Sequence, residues 1–154
     1  MSMSQSNLAW DTAKEPDVAV SLFFLVTIDY STPLGVFSSC EGLGIEVVVE
    51  QREEGGNNGF VHQLPGRMKY SNVKLTRPID KDTVKVAEWF AKMNGVVKRQ
   101  TAKIEVQSPD GRQVAHWTLD GVIPVKWSGP QMNVETAKVA METLEIAHHG
   151  FLKA

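Results

Sequence analysis

The sequence predicts a mainly β domain, a small antiparallel barrel or sandwich with one packed helix. Six or more stretches rich in β-branched and aromatic residues are separated by turn-forming residues about every ten positions. One stretch alone, from about Lys81 to Met93, carries a strong helical period. No internal repeat, linker or low-complexity tract divides the 154 residues, so we expect a polar arm over residues 1–17 and a single domain over 18–154. A domain of that size buries about 70% of the surface its unfolded chain exposes and needs no staples.

Residues 18–29, VAVSLFFLVTID, are almost continuously apolar, as in a strand covered on both faces for part of its length. Pro33 and Gly35 punctuate a turn, and VFSSCEGLG forms a short second strand ending at Gly42 and Gly44. IEVVVEQ, from Ile45, sets Ile45, Val47 and Val49 against Glu46, Val48 and Glu50, giving one apolar and one mixed face. It runs into the flexible loop EEGGNNG. RMKYSNVKLTRPI then repeats the alternation as one strand, with a bulge or kink at Ser71-Asn72.

In the helix Val86, Trp89, Phe90 and Met93 form the apolar stripe, Asp80 or Asp82 caps the start and Asn94-Gly95 closes the end. A hairpin turns about SPDG, with Pro109 and Gly111 at the second and fourth turn positions. VIPVKW follows Asp120-Gly121 as a further strand. The last segment is ambiguous: Val134, Ala137, Met141 and Leu144 fall at helical spacing, yet Leu144 and Ile146 also alternate as in a strand. Local content favours helix there.

The composition excludes several functions. With 42% hydrophobic residues, 22% charged and a net charge of -2, no basic excess draws the chain onto nucleic acid. Cys40 is the only cysteine, which rules out an intrachain disulfide and a cysteine zinc site, and it reads as a small buried residue. The first residues lack the basic start and apolar block of a signal peptide, and no apolar run approaches the roughly 20 residues that span a bilayer. We therefore expect synthesis in the cytoplasm and no membrane anchor.

No catalytic centre, cofactor site or metal site is expected. His148 and His149 are adjacent and diverge in a strand or a helix, and His62 and His116 have no carboxylate or cysteine at ligand spacing. Neither Ser39 nor Ser128 stands in a nucleophile frame. The glycine-rich loop follows Glu53 and Glu54, which repel phosphate, and lacks the Lys-Ser/Thr of a phosphate cradle. Arg67, Lys69, Lys74 and Arg77 around Tyr70 have the look of a nucleic-acid strand but read better as a solvent face or as partners for Glu50, Glu53 and Glu54. Trp117 and Trp127 fit the core or a subunit contact. A surface for other proteins is the expected function.

Several phrases carry a resemblance across residues 18–151: SLFFLVTID, GVFSSCEGLGIEVVVEQREEGGNNGF, LPG-x-x-KYSN-x-KLTRPI, PVKWSGP and ETLEIAH-x-G. Together they resemble the tail tube proteins of contractile phages and contractile injection systems. The resemblance implies a β-barrel with one helix, six copies closing into a ring, and rings stacking into a hollow inner tube that sheath contraction drives into a target. Its implied partners are further copies of the chain, the sheath, baseplate and cap proteins, and protein or DNA cargo in the lumen, with assembly into a phage tail or a cytoplasmic or extracellular particle. It also implies that ETLEIAH is a strand, against the local reading.

On this basis Arg52, Glu53, Glu54, Asn57, Asn58 and Phe60 are expected at a subunit interface, on an arm over residues 51–60. The strands from Ile45 and from Met68 are expected to pack an apolar side on the domain core and to line the lumen, with Glu46 and Lys74 facing the channel. An adaptor or cap subunit of the same fold is the alternative. A small-molecule-binding or enzymatic barrel is the distant one.

Overall fold

The computed structural model describes residues 22–52, 55, 62–130, 135 and 140–152. The arm over 1–17 lies outside them, as do Val134 and Ala137 of the expected helical spacing. The apolar run near the start contains β1 (Phe23–Ile28), which pairs antiparallel with β2 (Thr32–Phe37) on one side and β7 (Gln100–Gln107) on the other. Within β1 one face is buried at Val26 and Ile28, while Phe24, Leu25 and Thr27 are half-buried and Phe23 is exposed, so the run is fully covered on one face and partly on the other.

The first turn differs from expectation. Pro33 and Gly35 lie inside β2, and the chain reverses at Asp29 and Tyr30, whose φ angles are 50° and 58°. Aspartate tolerates this left-handed conformation because its short carboxylate can bond locally. Here it accepts the Thr101 backbone N–H at 3.0 Å and the Gln100 side-chain amide at 2.8 Å, tying the turn to β7. Gly35 has φ +106°, and a Cβ there would stand 2.6 Å from the Arg77 guanidinium. Its role is close approach within a strand.

The remaining elements are β3 (Ser39–Glu41), β4 (Ile45–Arg52), β5 (His62–Tyr70), β6 (Val73–Pro78), α1 (Thr83–Lys92), β8 (Gln113–Ser128), β9 (Met141–Ala147) and β10 (Gly150–Leu152). The main sheet runs β2-β1-β7-β8-β9-β6-β3 with β10 alongside β8, and β4-β5 forms a separate two-stranded ribbon. The described residues are thus mainly β with one helix. Of the barrel or sandwich the sequence suggested, no closed barrel is found among the described residues: the hydrogen-bonded ladder is an open path. Its end strands, β2 and β3, are consecutive in the chain, and Ser38 between them donates its N–H to the Thr76 carbonyl at 2.9 Å.

The two strands expected either side of Asp120-Gly121 are one 16-residue strand, β8. Its first part pairs with β7 and its last part with β9. Gly121, with φ 62°, lets the strand bend without ending, and the His149 ring lies where a Cβ would project. The SPDG turn forms as expected, with Gly111 N–H bonded to the Ser108 carbonyl at 2.9 Å.

Helix α1 buries Val86 and Trp89, while Phe90 and Met93 pack beside the core. Asp82 occupies the N-cap position, but its carboxylate makes no cap bond and pairs instead with Lys85 at 2.9 Å. The tail segment over Met141–Ala147 is a strand held between β6 and β8, with Glu142, Leu144 and Ile146 buried. Cross-strand pairing on both edges outweighs the helix propensity of its residues.

Candidate assembly surface

The expected continuous strand from Met68 to Arg77 is two strands in separate sheets. β6 joins the main sheet with Val73, Leu75 and Arg77 buried, whereas β5 pairs only with β4. The interruption falls at Ser71-Asn72, where the alternation slips in the sequence. On the other side of the ribbon, Gly42 with φ +91° leads in, and a Cβ there would sit 2.1 Å from the Asn72 carbonyl oxygen. The two connections between ribbon and body therefore lie directly against each other.

Every residue of β4 is exposed. Ile45 pairs across the ribbon with Tyr70, and Val47 with Met68, so these four share one face. Glu46 and Lys69 pair on the other. The two-faced reading of IEVVVEQ holds, but its apolar face does not pack on this chain's core: Ile45 is 57% exposed and Met68 63%. The register shifts between Val47 and Val49, opposite Gly66, where a Cβ would come 2.7 Å from the Val48 carbonyl oxygen. A two-stranded ribbon is marginal alone in water. Its exposed apolar face and unpaired edges are what a second polypeptide can cover.

Of the expected interface residues, Arg52 ends β4 and is exposed. Glu53, Glu54, Asn57, Asn58 and Phe60 lie outside the described residues. Glu46 and Lys74 are both exposed but sit in different sheets, Glu46 on the ribbon and Lys74 on β6 between Glu41 and Glu145. Among the four basic residues singled out, Arg67, Lys69 and Lys74 are exposed, and Arg77 is buried in an ion pair with Glu142 that sequence reasoning missed. The signal for it was a charged residue at a core-facing position of both alternating strands.

The other polar candidates have local partners. His116 Nδ1 lies 2.7 Å from the Gln113 amide, and the Trp127 indole N–H donates to Glu142 at 3.1 Å. Trp117 and Trp127 are partly exposed, at 37% and 40%. Beside Trp127, Ile79, Asp80, Thr83 and Pro130 line a shallow apolar depression of about 480 Å³. Among the described residues no three His, Cys, Asp or Glu side chains cluster as metal ligands. No described helix is long and apolar enough to cross a membrane.

The family model of the T4-like virus tail tube protein gp19 matches residues 20–152. The chain belongs to this tail tube family. It is accordingly a structural subunit of the tube of a contractile system. Among curated protein sequences none matches it. Three solved structures share the tail tube fold with it at low identity. A chain of the PVC sheath-tube complex, an extracellular contractile injection system in its extended state, superposes with a TM-score of 0.74 at 16% identity, covering 97% of both chains. A chain of the anti-feeding prophage baseplate gives 0.72 at 19%, covering 89% of this chain and 94% of the other. One from the anti-feeding prophage tube-terminating cap gives 0.71 at 18%, covering 84% and 85%.

Proposed function

We propose that six copies of this tail tube protein close into a ring and that the rings stack into a hollow tube, with the β4-β5 ribbon as the element shared between neighbours. The observation that carries this reading is the ribbon itself, a strand pair with an apolar face that its own chain leaves in water. A ring requires one surface of a subunit to meet a different surface of the next. The ribbon's open edges supply one such surface, and pairing them with a neighbour removes a site of uncontrolled aggregation.

In the assembled tube Glu46 and Lys74 face the channel, where a hydrated charged wall binds cargo weakly and lets it slide. Residues 51–60, with Arg52, Glu53, Glu54, Asn57, Asn58 and Phe60, reach a neighbouring subunit. Opposite charges on ribbon and body add surface ion pairs, each worth only about 0 to 1 kcal/mol, and repetition around a ring multiplies them. Sheath, baseplate and cap proteins are the proposed outer and terminal partners, as the complexes containing similar folds support. The role is structural and not enzymatic.

Negative-stain imaging of the purified full chain tests this reading. Hollow rods or stacked rings are expected, and a uniform monomer under all assembly conditions would overturn it. Deleting Gly55 to Gly59 should leave the monomer folded by circular dichroism and abolish rods; unchanged rods would remove the arm from the proposal. A terminal role is the second reading, motivated by the similar fold in a tube-terminating cap. Single rings that never stack would select it.

A further inference from the structure

The ribbon meets the body at one aromatic cluster. Tyr70, the last residue of β5, packs against His148 with ring centroids 5.5 Å apart and against Phe151 at 5.9 Å, and His148 and Phe151 are themselves 5.3 Å apart. Gly150 completes the seat: a Cβ there would lie 3.1 Å from the Tyr70 ring. The connections either side of the ribbon run through Gly42 and Gly44 and through Ser71-Asn72, so this cluster is where side chains fix the ribbon's angle to the body.

His148 is only 7% exposed. The Gly150 backbone N–H donates to its Nδ1 at 3.2 Å, a bond that needs the Nδ1 lone pair and so places the ring proton on Nε2. That Nε2 is the one buried side-chain polar atom, among the described residues, without a hydrogen-bond partner. The neutral ring is therefore already incompletely satisfied. A second proton, drawn from acidic solvent, would land on Nδ1, oppose two donors to each other across the Gly150 bond, and leave a charge buried among aromatic rings.

We propose that His148 is a proton-sensitive latch at the root of the β4-β5 ribbon, holding the ribbon on the body when neutral and releasing it when protonated. Among the described residues no carboxylate pairs with the ring, and what favours the cation is backbone alone, at Gly150 and Ser71. From β5 comes the Tyr70 ring; from β10, Phe151 and the Gly150 N–H; the neighbouring His149 bears charge of the same sign when protonated, and its backbone N–H bonds the Asp120 carbonyl of β8 at 2.8 Å. No ion pair to His148 forms among the described residues. Burial, the largest influence, pushes its imidazole below the ordinary histidine value; the Gly150 and Ser71 backbone oppose it in part, and His149 acts in the same direction as burial. The sign follows: the unfolded or released ring binds protons more readily, so the latch is closed above about pH 6.5 and opens progressively as pH falls below it.

Hydrogen exchange of the full chain, corrected for intrinsic rates, tests the latch. Between about pH 7.5 and about pH 5, protection of β4 and β5 should fall roughly fivefold relative to β7 and β8. His148→Phe, which keeps a ring but cannot titrate, should abolish that difference, while His149→Gln should preserve it. Should His148→Phe not fold, His148→Gln carries the same test. Ribbon protection that follows the rest of the sheet at both pH values would overturn the latch, as would an undiminished pH response in the His148 variants. Because the readout is local opening within the chain, it stands apart from whether rods form.

Discussion

Arg77 and Glu142 face each other directly across β6 and β9 as an ion pair, each side chain 1% exposed. The guanidinium also donates to the Leu34 carbonyl at 2.6 Å and the Asp82 carbonyl at 3.0 Å, and it lies 4.3 Å from the centre of the Phe37 ring. The second Glu142 oxygen accepts from the Trp127 indole. One buried pair thus joins four strands and the start of the helix.

Removing one partner leaves a buried charge without compensation, which costs about 3–5 kcal/mol. Glu142→Ala and Arg77→Ala should each lower stability by that amount in urea unfolding. The double variant Arg77→Met with Glu142→Leu should recover a large part of the loss. Equal losses in the single and double variants would show that packing, and not charge pairing, dominates the site.

Gly42 is held at φ +91° against the Asn72 carbonyl. Gly42→Ala adds both a strained backbone and a collision with backbone that cannot swing aside. We expect a loss of about 2 kcal/mol or more, together with altered amide resonances concentrated in β4 and β5. Gly95, with positive φ but open space around it, is the comparison: Gly95→Ala should cost the backbone strain alone, about 1 kcal/mol.

The carboxylate of Asp29 is held below its ordinary value, first by the Thr101 backbone N–H and also by the Gln100 and Thr101 side chains. A depressed carboxylate value stabilises the folded chain fully above the unfolded value of 3.8 and loses that effect as pH falls through the folded value. Asp29→Ala should cost about 1 kcal/mol near neutral pH. The gap between variant and parent in thermal unfolding should close as the pH is taken well below 4, where the parent's own carboxylate is protonated.

Burial, with a smaller contribution from Glu41, pushes the Cys40 thiol up to about 11 from 9.0. At pH 8 the folded chain should hold roughly a hundredfold less thiolate at this position than the unfolded chain. A chromogenic thiol reagent should accordingly react slowly until denaturant is added. Fast reaction in the native state would place Cys40 in a more open setting than beside Leu75 on β6.

Val47 is 40% exposed on the apolar face of the ribbon. Val47→Asp should change monomer stability by no more than about 0.5 kcal/mol, the usual range for surface substitutions. Rod formation should be lost, because a carboxylate would then be buried against a neighbour. Retained rods would remove this face from the proposed contact.

Where local chemistry determines structure, the sequence was readable. SPDG makes its turn through Pro109 and Gly111, and Val86 and Trp89 mark the buried side of the helix. The first turn was misplaced because Asp29 and Tyr30 adopt left-handed angles without a glycine, secured by groups on β7 some seventy positions away. Met141–Ala147 looked helical because nothing local reports that β6 and β8 lie on both edges of it. The ribbon's alternation was legible, but alternation tells that a face is apolar and not what covers it. Arg77 and Glu142 were readable as charges and not as partners, since their pairing depends on the register of two strands 65 positions apart.

Because β8 serves one set of neighbours with its first half and another with its second, no seam runs through the body along which its two halves could part intact. A load applied to either half must stretch or unzip that same strand. The subunit should then yield as a single mechanical unit, with the ribbon as its compliant appendage.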